Sequence, residues 1–68
     1  MKLSEILREH FRVSVREARR MIEFEQVRVD GKLVTVPDVL IALPATVEVT
    51  VGTRTRKREI HEWGTVDV

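Results

Sequence analysis

The sequence predicts an α+β domain: two N-terminal helices packed on a small, mainly antiparallel sheet. Three observations carry that prediction. Apolar residues recur at helical spacing as far as Phe24, and from Val27 the period falls to two. An Asp30-Gly31 pair then separates two alternating runs, which is a hairpin signal because a type I′ turn needs positive φ at both central positions. The 68 residues suffice for one core and no more. With 43% hydrophobic and 34% charged residues, the chain should fold and carry a heavily charged surface.

The first helix is expected over residues 2–11. Leu3, Ile6, Leu7, His10 and Phe11 follow the i, i+3, i+4, i+7, i+8 spacing of one buried stripe, with Lys2, Glu5, Arg8, Glu9 and Arg12 opposite. A second helix starts at Ser14, where Ser14-Val15-Arg16-Glu17 matches a capping box. Val15, Ala18, Met21 and Ile22 share its apolar sector, and Arg16, Arg19 and Arg20 share another. Glu25 would return to the apolar stripe, so the helix should stop near Phe24 or Glu25 although no glycine marks the end.

The hairpin pairs Val27-Arg28-Val29 with Lys32-Leu33-Val34. Pro37-Asp38 and Pro44-Ala45 read as turns, and the short run 39–43 between them fits either a helix or a strand. Residues 46–51 alternate strictly, with Val47, Val49 and Val51 directed inward. This is the clearest strand. Residues 53–68 read as an appended basic tail after a 1–52 domain, able to extend the last strand for a few residues.

Enzymatic constellations are scarce. With no cysteine, disulfides and thiolate metal sites are excluded. His10 and His61 lack metal-ligand spacing; His10 reads as a core or interface residue and His61 as solvated. The glycines form no phosphate loop, and Ser4 and Ser14 have no neighbouring base. No apolar run approaches the roughly 20 residues of a bilayer span. The expectation is a non-enzymatic cytoplasmic chain with no cofactor and no metal.

Charge placement says more than the net charge of +1. Arg12, Arg16, Arg19 and Arg20 face one acid, Glu17, in nine residues of chain. Arginine suits bidentate phosphate contacts, and the N-terminus of the second helix favours an anion. A solvated face stitched by Glu23 to Arg19 and Arg20 accounts for the same residues equally well. Arg54, Arg56, Lys57 and Arg58 make a second basic patch, readable as a nucleic-acid contact or a solubilising end. Trp63 could stack on a base, but packing of the tail onto Phe24 is the favoured reading.

The stretch Ser14-Val15-Arg16-Glu17-Ala18-Arg19-Arg20-Met21-Ile22, followed by Val27-Arg28-Val29-Asp30-Gly31-Lys32, resembles the S4 RNA-binding domain, the α-L module. The family's pattern is S-x-x-E-A-R-x-x-I followed by V-x-V-N/D-G. Met1-Lys2-Leu3 and Leu7 resemble its first helix, and Pro37 with 44–49 resembles its later turn and closing strand. The resemblance covers residues 1–51. This chain departs from the family where Glu25 stands for Gly, Val15 for Arg and Ala45-Thr46 for Gly-Asp.

The resemblance implies a stand-alone, monomeric RNA-binding module that recognises structured RNA, rRNA or tRNA, and associates with a ribosomal subunit. It implies contacts from Lys2, Arg12, Arg16, Arg19, Arg20, Arg28 and Lys32, with Arg54, Arg56, Lys57 and Arg58 of the tail as a secondary set. The alternative is a protein-interaction adaptor on the same scaffold; DNA binding ranks third.

Overall fold

A computed structural model of residues 1–68 contains α1 (Leu3–His10), α2 (Val15–Glu23), β1 (Val27–Val29), β2 (Lys32–Leu33), β3 (Ala45–Val51), β4 (Arg54–His61) and β5 (Gly64–Asp67). The strands form one antiparallel sheet in the order β2-β1-β3-β4-β5. Two helices packed on that sheet give the expected α+β arrangement, and the core lies between them.

Helix α1 buries Leu3, Ile6, Leu7 and Phe11 as its spacing requires, and leaves His10 half-buried. Glu5 accepts the Lys2 backbone N–H at 3.3 Å, holding the first turn. In α2 the Ser14 hydroxyl accepts the Glu17 N–H at 3.1 Å. Only this serine half of the expected capping box forms; the Glu17 side chain does not return to Ser14. Ala18, Met21 and Ile22 are buried, but Val15 is 44% exposed, contrary to its expected place in the apolar sector. The buried arc centres near Ala18, and Val15 lies about 60° to one side of it, next to Arg19.

Helix α2 ends where the sequence suggests, by a device that the sequence conceals. The Gln26 N–H donates to the Met21 carbonyl at 3.0 Å and the Glu25 N–H to the Ile22 carbonyl at 3.2 Å. These two bonds define a Schellman motif, and Glu25 occupies its left-handed position with φ of 61°. Asp30 and Gly31 both have positive φ, as the type I′ turn demands. Asp30 also accepts the Thr46 N–H at 3.0 Å through its carboxylate, tying the turn to β3.

The undecided run 39–43 is neither helix nor strand. It belongs to a loop strapped across the start of α1, where Leu3 N–H donates to the Val39 carbonyl and Ile41 N–H to the Met1 carbonyl. Val34, Val39, Ile41 and Leu43 line the underside of this loop against the core.

Residues 53–68 differ most from expectation: rather than an appended tail, they form β4 and β5. Strand β4 pairs with β3 from Ala45↔Ile60 to Val51↔Arg54, and Ile60 is wholly buried. A two-residue turn at Gly52-Thr53, with Gly52 at φ of 63°, makes that reversal. Trp63 sits in the turn between β4 and β5 and stacks on His61, with ring centroids 4.6 Å apart and planes 12° apart. It therefore does not pack on Phe24. The β4–β5 turn carries Trp63 to the end of the sheet beside Leu43 and Pro44, whereas Phe24 lies near Val51 at the other end.

Candidate nucleic-acid interface

Register decides which side of the sheet each basic residue occupies, because directly paired residues share a face. Val27, Val29, Val47 and Val49 face the helices. Arg56 pairs with Val49, Arg58 with Val47 and Arg54 with Val51, so all three β4 arginines also face the helices. The Arg56 and Arg58 guanidinium groups lie 5.5 and 5.4 Å from the centroid of the buried Phe11 ring. Their stems take the place of apolar side chains on this part of the inner face.

Arg58 is committed further. It pairs with Asp67 at 2.9 Å and donates to the His10 carbonyl, and its side chain is only 25% exposed. His10 completes the junction by sharing a 2.5 Å hydrogen bond with Thr65 of β5. The C-terminus of α1 is thereby fastened to β4 and β5, consistent with the interface role expected of His10. His61 is not simply solvated: it contacts Glu59 at 2.7 Å and Trp63 by stacking.

Arg54 and Arg56 face α2 across an open space. They line a cleft with Phe11, Val13 and Glu17, over a floor of Met21, Val49 and Val51. An adjoining depression shares Glu17, Met21 and Val51 with it and is lined further by Ser14, Arg16, Arg20 and Phe24. Arg16 and Arg20 from α2 and Arg54 and Arg56 from β4 therefore border two adjoining depressions that meet at Glu17, Met21 and Val51. Arg19 lies beside Arg16 and Arg20 on the outward side of α2 and reaches Asp38 at 3.5 Å, both side chains about half-exposed. Arg12 stands in the turn between the helices, exposed and left-handed with φ of 56°.

The remaining expected contacts lie elsewhere. Arg28 and Lys57 both pair with Glu48 and so occupy the sheet face turned away from the helices, where Arg28 also donates to the Gly31 carbonyl. Lys32 pairs with Val29 at the β2 edge. Lys2 precedes α1 and bridges to Leu40. Arg28 and Lys57 follow from strand parity alone: neighbours in a strand point to opposite faces. Sequence reading missed the apolar floor and the position of Glu17, although Gly52-Thr53 between two alternating runs was a usable hairpin signal.

No three His, Asp or Glu side chains converge as a metal site would require. No helix is long and apolar enough to cross a membrane.

The S4 domain family model matches residues 1–42, more than half of the chain. No curated protein matches the chain, and no solved structure does. The chain belongs to the S4 domain family, whose members are RNA-binding rather than catalytic modules, and a general RNA-binding role comes with that membership.

Proposed function

We propose that this S4-domain chain binds structured RNA of the rRNA or tRNA class in the cytoplasm, as a monomer able to associate with a ribosomal subunit. Arg12, Arg16, Arg19 and Arg20 are its principal contacts, joined by Arg54 and Arg56. Lys2 and Lys32 contribute at the margins. The observation carrying this reading is the pair of adjoining depressions that meet at Glu17, one bordered by Arg16 and Arg20 and the other by Arg54 and Arg56. Guanidinium groups on two walls can hold successive phosphates of a folded strand, and such contacts follow RNA shape more than sequence. Arg28 and Lys57 are set aside because they face away, and Arg58 because its donors hold the protein together.

Anisotropy titrations with rRNA and tRNA hairpins test the proposal. Affinity should fall by about one power of ten from low to physiological salt for a few phosphate contacts. The double variant R16E/R20E should lose binding and keep its fold, since both side chains are exposed. Undiminished binding by that variant would place the RNA on another surface. A matched DNA hairpin bound equally well would remove the preference for RNA.

A further inference from the structure

Among the arginines of the cleft stands one group that a phosphate-binding surface does not need. Glu17 lines both adjoining depressions, the one with Arg16 and Arg20 of α2 and the one with Arg54 and Arg56 of β4. None of them forms an ion pair with it. The cap at Ser14 uses the Glu17 backbone N–H and leaves the carboxylate without a protein partner. A lone negative charge here weakens attraction for any polyanion unless it has something else to bind.

Resting on the RNA-binding reading, we infer that the cleft receives one unpaired guanine base, with the Glu17 carboxylate accepting hydrogen bonds from its N1–H and 2-amino group. Size, floor and charge all favour this occupant. The part of the cleft nearest β4 encloses about 180 Å³, less than the roughly 300 Å³ at which drug-sized sites begin. It has room for one flat heterocycle. The Met21, Val49 and Val51 floor suits the face of a base, and Arg54 and Arg56 can cover the other face by guanidinium stacking.

The carboxylate then selects among the bases. An ionised carboxylate only accepts, through two oxygens side by side. Guanine presents two adjacent donors on its Watson–Crick edge. Uracil places its single donor between two carbonyls, and adenine and cytosine set their amino group beside a ring acceptor that repels the second oxygen. The phosphates flanking that base fall to Arg16 and Arg20 of the adjoining depression. Arg54 and Arg56 lie beyond residues 1–42, so half of this cleft comes from outside the matched family segment.

The test uses the full chain and four hairpin RNAs identical but for one bulged nucleotide: guanosine, inosine, adenosine or uridine. Anisotropy at fixed low salt measures each against wild type and E17Q, with thermal melts to verify folding. Wild type should prefer the guanosine bulge over adenosine by about tenfold, the discrimination of a two-bond base contact. Inosine, which lacks the 2-amino group, should fall between them. E17Q should bind all four at least as tightly as wild type binds adenosine and should lose the guanosine preference, because its amide sets one donor beside one acceptor and no longer matches two adjacent donors. Equal wild-type affinity for all four bulges, or a guanosine preference that survives in E17Q, overturns the inference while leaving RNA binding standing. Failure of wild type to bind any hairpin overturns both.

Discussion

Replacing Glu25 with glycine should stabilise the domain. Glu25 holds the left-handed position of the Schellman motif at φ of 61°, where a side chain with a Cβ costs about 1–2 kcal/mol. Glycine removes that cost but gains freedom in the unfolded chain, returning about 0.5–1 kcal/mol. The net backbone gain is about 0.5–1 kcal/mol. The substitution also removes a negative charge from the C-terminal end of α2, worth a further few tenths at an exposed site. E25A isolates this contribution, since alanine loses the charge and keeps the Cβ. At about 2.1 cal/mol/K of unfolding entropy per residue, a chain of 68 residues converts the Gly-minus-Ala difference to about 4–7 °C. Circular-dichroism melts of wild type, E25A and E25G measure it. An E25G midpoint at or below that of E25A would refute the left-handed assignment on which the argument rests.

Other expectations follow from the sheet. A fragment ending at residue 52 should fail to fold, judged by collapsed amide dispersion in NMR spectra, because it lacks β4 and the buried Ile60. Ile60→Ala alone should cost about 2–5 kcal/mol in urea titrations. Arg58→Ala should cost about 1–3 kcal/mol, since it leaves the His10 carbonyl without its charged donor, whereas Arg54→Ala should change stability by less than about 0.5 kcal/mol. Trp63→Ala should be nearly neutral, within about 1 kcal/mol, because that side chain is 73% exposed.

The helices, the hairpin and β3 were legible because each signals its period in apolar residues. Strand β4 was not, although its residues alternate as faithfully as those of β3. Its inner face is written in Arg54, Arg56 and Arg58 rather than in valine, and a pattern of charge on both faces resembles a solvated end. Only Ile60 betrays burial, and one residue has no period. Arg16, Arg19 and Arg20 of α2 fall side by side as helical projection places them, because projection needs no tertiary information. Their approach to Arg54 and Arg56 depends on a strand reversal at Gly52-Thr53, and the placing of Lys57 on the opposite face follows from strand parity only once β4 is recognised as a strand. The end of α2 illustrates a different limit: the location followed from the apolar stripe, but the conformation of Glu25 runs against its own preference and is imposed by the two bonds to Met21 and Ile22.

The opposite orientations of Arg56 and Lys57 constrain how this chain can change over generations. Adding or deleting a single codon between Gly52 and Ile60 would exchange the two faces of the ribbon, sending Ile60 to water and its neighbour into the interior. Only insertions in twos, or replacements in place, preserve both sides at once. Length variation among descendants should therefore concentrate in the strap at 34–44 and at the extremities, with the ribbon diversifying by exchange of letters alone.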